Sequence, residues 1–381
     1  MDDPAAAGPH GDAAGCHHGG ASFTAIGERF DTLLRRHEVI AADVLDAWFP
    51  PAPAVVSALQ QDLPWLLRSS PPAHGTGLQQ AIAEARGIPP ANVLLGAGSS
   101  DLIYRAFCTW LRPESRVLLL DPSYGEYAHV CAQVVGCGHD RLQLLRAADY
   151  ALDLDAWAAR LQDGNYDLAV LVNPNNPTGR QLPRDQLAAA LMQVPEHTRV
   201  WIDEAYLDYV DPIKSMAALA AASARVFVCK SMSKVYALSG VRVAFLCGPD
   251  AELAALRRRT PPWCVGLPAQ LAAVRALQSL PYYRDCWLQT QALRAQLRAG
   301  LQQLPGGIEV RDGTANFLLC HLPANAPTAA GLLARCRDRG LFLRDVSSMG
   351  SFDDRTFRIA VKDGPTQTRM LAILGECLGR T

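Results

Sequence analysis

The residues of this chain able to do chemistry gather in short polar stretches, each directly after an apolar run. They are Gly96-Ala-Gly98-Ser99-Ser100, Pro122-Ser-Tyr124-Gly125, Asn173-Pro-Asn-Asn176-Pro-Thr-Gly179, Asp203-Glu-Ala-Tyr206 and Ser231-Met-Ser233-Lys234, with Arg242 shortly beyond. Ser-x-Ser-Lys sets one amine beside two hydroxyls, and Arg242 adds a planar guanidinium suited to a phosphate. A lysine in a desolvated, cation-rich pocket gives up its proton readily, as a Schiff-base lysine must. Taken alone, Lys234 reads more readily as a surface lysine. Asp203 closes Val200-Trp201-Ile202, where a carboxylate is costly unless it meets a cation such as a protonated pyridine nitrogen. Its other reading is a cap on the helix that follows. Tyr206 and Asn176 offer hydrogen bonds to one phenolic oxygen, and Tyr124 offers a face for a flat ring or a half-buried packing surface. The Gly96–Ser100 turn opens a helix whose free N–H groups suit a phosphate.

Polar residues at strand ends need a sheet to collect them. Ligands of open α/β sheets bind outside the carboxyl ends of the strands. The runs Asn92–Leu95, Arg116–Leu120, Leu168–Val172, Val200–Ile202, Val226–Cys229 and Val241–Cys247 are mostly apolar throughout, which predicts strands of a parallel sheet covered on both faces. Leu102–Leu111, Tyr127–Val135, Asp185–Met192 and Ala217–Ala222 suit crossover helices. A long helical stretch after Pro268 breaks at Pro281–Tyr282. Strands expected at Ile308–Arg311, Ala315–Cys320, Leu341–Leu343 and Thr356–Val361 then predict a smaller α+β unit. The expected class is α/β, a three-layer, mostly parallel sheet with a smaller α+β domain. The expected division is a flexible tail at 1–20, a segment at 21–60 packing with the small domain, a large ligand-binding domain at 61–260 and the small domain at 261–381.

Composition removes several classes. Hydrophobic residues are 49% of the 381 and charged residues 19%, too apolar for a disordered chain. Net charge is -1, so no global pull toward nucleic acid or an anionic bilayer is expected. No apolar run is long enough to span a membrane. The eleven cysteines form no C-x-x-C pair, which favours a reduced cytosol over a disulfide framework. The first twenty residues read as a tail rather than a secretory leader. His10, His17 and His18 lack the ligand spacing of a metal site, so no metal is expected.

Together these stretches resemble the fold-type-I pyridoxal-phosphate enzymes of the aspartate aminotransferase superfamily, in particular histidinol-phosphate aminotransferase and its relative threonine-phosphate decarboxylase. The likeness runs from about Gly19 to the C-terminus. It implies that Lys234 bonds the cofactor, Asp203 pairs with its ring nitrogen, and Tyr206 and Asn176 bond its ring oxygen. It further implies that Tyr124 stacks on the ring while Ser99, Ser100, Ser231, Ser233 and Arg242 hold the phosphate. The resemblance makes Arg358 the substrate-carboxylate arginine, Arg344 a second anion-binding arginine (a salt bridge with Asp345 being the other reading), and Asn316 a substrate-facing residue. A small-molecule substrate, an amino acid or a phosphorylated amino compound, a keto-acid partner and a homodimer are implied.

Some residues depart from that pattern. Arg68-Ser-Ser-Pro-Pro-Ala-His-Gly-Thr-Gly77 holds no tyrosine where the family has one reaching the neighbouring subunit's cofactor phosphate, and Phe49-Pro-Pro-Ala-Pro replaces an Asn-x-Asn-Pro segment. His18-Gly19-Gly20 resembles an N-terminal His-Gly-Gly that binds substrate in the decarboxylase, which makes His18 a substrate-binding candidate, and Pro262-Trp-Cys-Val265 resembles its Pro-Trp-Ser-Val segment. Transamination and decarboxylation differ in which Cα bond stands perpendicular to the cofactor ring, so transamination is the first expectation and phospho-amino acid decarboxylation the second. From other classes, a nicotinamide oxidoreductase is disfavoured because the Gly96 turn lacks the third glycine of a dinucleotide fingerprint. A non-catalytic cofactor binder is the remaining alternative.

Overall fold

The structure, a computed structural model, describes residues 19–379. The strands in chain order are β1 (Ile40–Ala41), β2 (Val93–Gly96), β3 (Arg116–Asp121), β4 (Gly138–Gln143), β5 (Leu168–Val172), β6 (Arg199–Asp203), β7 (Val226–Ser231), β8 (Ala244–Cys247), β9 (Glu309–Val310), β10 (Phe317–His321), β11 (Leu341–Phe342), β12 (Arg344–Asp345) and β13 (Thr356–Ala360). Seven form one sheet in the order β2-β8-β7-β6-β5-β3-β4. Neighbours run parallel except at β8, which is antiparallel to both β2 and β7. The architecture is the expected α/β one.

Alternate residues of the strands enter two separate cores. Leu118 and Leu120 of β3 and Ala169 and Leu171 of β5 join one cluster, while Val117 and Leu119 of β3 and Leu168 and Val170 of β5 join the other. Side chains point to opposite faces at every step along a strand, so a strand buried on both faces must be apolar throughout. That is why these runs were readable in the sequence. The edge strand β4, Gly-His-Asp-Arg-Leu-Gln, is largely exposed or half-buried, and its polar sequence gave no strand signal. The expected strand Val241–Cys247 is shorter: Ser239–Val241 forms a 3₁₀ turn, Arg242 takes a left-handed φ of 55° and the strand begins at Ala244. The Tyr127–Val135 helix is a short α-turn, Glu126–His129, running into a π-helix, Val130–Val135.

The second sheet has the order β12-β13-β10-β9 and is antiparallel. Leu341–Phe342 lies outside it and pairs in parallel with Ile40–Ala41. The chain that follows β1 stays against the small sheet: Ala360 N–H donates to Ala42 O at 3.1 Å, Asn316 Nδ2 to Leu45 O at 2.9 Å and Arg358 Nη2 to Asp43 O at 3.0 Å. Among the described residues no helix is long and apolar enough to cross a membrane, and no cluster of His, Cys, Asp or Glu could hold a metal ion.

Candidate active site

β2, β3, β5, β6 and β7 all end on one edge of the large sheet, and β8, entering in the opposite sense, starts there. The topology thus delivers Ser99, Tyr124, Asn176, Asp203, Ser231 and Lys234 from strand ends, and Arg242 from a strand beginning, to the same place. A cavity of about 240 Å³ is lined by Asp43, Ser99, Tyr124, Asn176, Asp203, Tyr206, Ser231, Lys234 and Arg358. It shares Ser99, Tyr124, Ser231 and Lys234 with a polar cup of about 290 Å³ that adds Ser100, Ser233 and Arg242. Every residue expected to meet the cofactor therefore lines one of two adjoining spaces.

Asp203 is 5% exposed and no cationic side chain among the described residues pairs with it. Its Oδ2 accepts from the Tyr127 hydroxyl at 2.7 Å and its Oδ1 from the Ala205 N–H at 2.9 Å. Burial pushes its carboxyl up to about 6, against the pull of those two donors. Tyr206 is buried, its hydroxyl pushed above the usual phenol range by desolvation, and its ring meets Phe317 edge-on at 5.3 Å. The Tyr124 hydroxyl donates to Glu126 Oε2 at 2.6 Å, which fixes the ring's angle at the cavity wall.

Lys234 Nζ lies 3.0 Å from Asp46 Oδ1. The pocket around this amine is therefore less cation-rich than expected, because the segment after β1 brings in an acid that the sequence gave no reason to pair with position 234. Lys362 lies beside the same acids, and burial holds its ammonium below the usual range. Arg358 is 5% exposed; Nη1 donates to Asn176 Oδ1 at 2.6 Å, and desolvation brings the guanidinium down to about 10. Its buried Nε has no partner, and the residue lines the cavity, where a guanidinium suits an anion.

The cup is shaped by backbone as much as by side chains. Gly98 has φ +96° and caps the helix Ser99–Trp110; a Cβ there would stand 2.3 Å from Arg242 Nη2. Arg242 Nη1 reaches Ser239 O at 3.2 Å and Ser233 Oγ at 3.4 Å. A helix N-terminus, serine hydroxyls and a guanidinium facing one polar space fit a phosphate. Beside it, the uncompensated carboxylate of Asp203 fits a ring cation, and the primary amine of Lys234 fits an aldehyde. The donor set thus matches pyridoxal 5'-phosphate.

Other expected residues fall differently. Arg344 lines a neighbouring cavity of about 240 Å³ with Arg141, Ser123, Ser348 and Tyr124, which shares Tyr124 with the cavity that holds Lys234. Asn316 holds the segment after β1 through Leu45 and is not in the cavity wall. His18 lies outside the described residues. Beneath the site, Lys230 Nζ is held by Glu204 Oε2 at 3.1 Å and Asp208 Oδ1 at 2.8 Å, and Asp208 also pairs with Arg86 at 2.7 Å. Lys230 and Glu204 thus support the strand end rather than face the cavity.

The chain matches the model of the aminotransferase class I and II family over residues 44–374. It is 30% identical over 305 residues to a histidinol-phosphate aminotransferase of Rhodopseudomonas palustris (strain BisA53), covering 79% of this chain and 81% of that protein. It is 33% identical over 282 residues to histidinol-phosphate aminotransferase 2 of Ralstonia nicotianae, covering 74% of each. Among solved structures, the histidinol-phosphate aminotransferase of Clostridium acetobutylicum superposes with a TM-score of 0.81 at 20% identity, over 89% of this chain and 99% of that one. The L-threonine-O-3-phosphate decarboxylase of Porphyromonas gingivalis superposes with a TM-score of 0.78 at 21% identity, over the same shares. With an amine, a buried acid and a phosphate-shaped cup converging at one sheet edge, the chain belongs to the class I and II aminotransferases and is a pyridoxal-phosphate-dependent enzyme.

Proposed function

We propose that this enzyme moves the amino group between a phosphorylated amino substrate and a keto acid, in the cytosol and as a homodimer. The observation that carries the reading is the uncompensated carboxylate of Asp203 in one cavity with the Lys234 amine and the Arg358 guanidinium. Lys234 Nζ would hold the cofactor, Asp203 would pair with its ring nitrogen, and Tyr206 and Asn176 would attend its ring oxygen. Tyr124 would offer its face to the ring, and Ser99, Ser100, Ser231, Ser233 and Arg242 would take the phosphate. When bound, the cofactor supplies an electron sink for the pair left on the substrate Cα. The protein's share is orientation and proton movement. Arg358 would grip the substrate carboxylate by its two-pronged edge, and the Lys234 amine would be the base that takes the proton from Cα, holding it on Nζ, and the acid that gives it back to Cα in the reverse half of the exchange. Arg344 and Arg141 in the adjoining cavity suit a second anionic group at the far end of the substrate.

Dimerisation is supported by apolar side chains left on the surface of the helix Pro53–Arg68, where Trp65 is 51% and Leu67 73% exposed, with Trp263 at 55%. The ten cysteines among the described residues are free thiols, which suits a reducing compartment. The test is to supply histidinol phosphate, phosphothreonine and their dephosphorylated counterparts with 2-oxoglutarate, following amino-acid formation and CO₂ together. Keto-acid-dependent turnover of a phosphorylated donor is expected. Arg344→Ala is expected to raise KM for that donor about 10–100-fold, by the loss of a charge-assisted bond, while leaving the dephosphorylated donor unchanged. Release of CO₂ without consumption of keto acid contradicts the reading.

A further inference from the structure

Asp203 does not stand alone. Trp201, two residues earlier on β6, lies on the same face of the strand, and the Tyr127 hydroxyl bridges the two side chains. Trp201 Nε1 lies 2.9 Å from Tyr127 Oη, and Tyr127 Oη lies 2.7 Å from Asp203 Oδ2. An indole N–H can only donate. The Tyr127 oxygen is therefore the acceptor toward Trp201, and its single proton is directed at Asp203. Trp201 and Tyr127 are 0% and 1% exposed, and Phe107 packs on both rings, at 5.6 Å and 5.8 Å, so neither ring is free to turn away.

We propose that Tyr127, oriented by Trp201, is a positioning residue for the reaction: a one-way hydrogen-bond relay that keeps the Asp203 carboxylate ionised and aimed into the cavity. The inference rests on the reading of Asp203 as partner of the cofactor's ring nitrogen. The relay has opposition to overcome. Burial disfavours the charge on Asp203, and Glu126 and Glu204 work in the same direction, with only the Tyr127 hydroxyl and the Ala205 N–H opposing them. Cys229, pushed upward by burial, also lies beside Asp203 and carries no charge to help it. Of the two opposing donors, Ala205 is backbone and fixed, so Tyr127 is the side chain of the pair, the one a substitution can remove. It brings no base or acid to the substrate; it acts only through Asp203.

The relay is tested with Tyr127→Phe, Trp201→Phe, the double variant and Asp203→Asn. In cofactor-free protein the ionisation of Asp203 is followed by carboxyl infrared difference spectra against Asp203→Asn, and pyridoxal-phosphate affinity is measured by equilibrium dialysis. Tyr127→Phe keeps the ring and its packing. It is expected to move the midpoint of the Asp203 carboxyl up by about one pH unit and to weaken the cofactor about tenfold, the loss of one hydrogen bond to a charged group. Trp201→Phe is expected to move the midpoint less, in the same direction, and to add nothing when Tyr127→Phe is already present. If Tyr127→Phe leaves midpoint and affinity within twofold of the parent, the relay is refuted. A lowered melting temperature with an unmoved midpoint refutes it too, since the tyrosine would then serve packing alone. Should Asp203→Asn bind the cofactor as tightly as the parent, the role given to Asp203 fails. The midpoint shift still judges the relay itself.

Discussion

At the scale of single residues, the site is a set of side chains whose surroundings leave them incomplete. Asp203 has two donors and no cation, Arg358 has a buried Nε without a partner, and Gly98 leaves open the space Arg242 occupies. The chemical identities were legible in the sequence because each sits directly after an apolar run. Their partners were not. Asp46, which meets Lys234, is 188 positions away in the chain, and Tyr127 reads as an ordinary helix residue until the fold sets it under Asp203. Gly98 carries the sharpest expectation at this scale. Alanine there is strained at φ +96° and meets the Arg242 guanidinium. Gly98→Ala should displace Arg242 and weaken cofactor binding by about 1–3 kcal/mol, measured by equilibrium dialysis, while a distant exposed substitution leaves it unchanged.

At the scale of elements, strand order does the gathering. The antiparallel β8 brings Arg242 to the edge where six parallel strands end, an arrangement that one continuous strand over Val241–Cys247 would not produce. The turn at Ser239–Val241 and the left-handed Arg242 are tied to the cup by Ser239 Oγ donating to Ser233 O at 3.1 Å and Arg242 Nη1 donating to Ser239 O at 3.2 Å. Polar β4 was missed for the complementary reason, since an edge strand has one side without a neighbour and little apolar signal. Under the strand ends, Arg86 and Lys230 share the buried acids Asp208 and Glu204, and the two cations hold the Asp208 carboxyl well below its usual range. Removing one partner leaves charges buried without compensation. Asp208→Asn should therefore cost about 3–5 kcal/mol of stability, read from urea unfolding, although Asp208 lines neither the cavity nor the cup.

At the scale of the whole molecule, the two sheets meet through buried polar contacts as well as apolar ones. His321 of β10 is 1% exposed; its Nε2 meets the Tyr150 hydroxyl and its Nδ1 the Thr356 hydroxyl, each at 3.1 Å. Tyr150 belongs to the chain beyond β4, so the histidine ties the small sheet to the large one. Burial, helped by nearby Arg146, brings its imidazole down to about 4. The unfolded chain then binds a proton between about pH 6.5 and 4 that the folded one does not. Stability from this group is full above pH 6.5 and lost as pH falls toward 4, by about 3 kcal/mol. Thermal melts of the parent should fall over that window more steeply than those of His321→Gln; parallel curves would mean that the histidine is not the group responsible. The existence of a second sheet was legible from its apolar runs. The pairing of Leu341–Phe342 with Ile40–Ala41 was not, because it joins segments 301 residues apart through two rungs of backbone.

The central claim is that a cofactor aldehyde condenses with the amine of Lys234. The most direct measurement is borohydride reduction of the enzyme loaded with pyridoxal 5'-phosphate, followed by peptide mass mapping. One pyridoxyl adduct per chain is expected, on Lys234, with no adduct there and no yellow colour in Lys234→Ala. Label on Lys230 or Lys362 instead, or no label on a yellow enzyme, would contradict it.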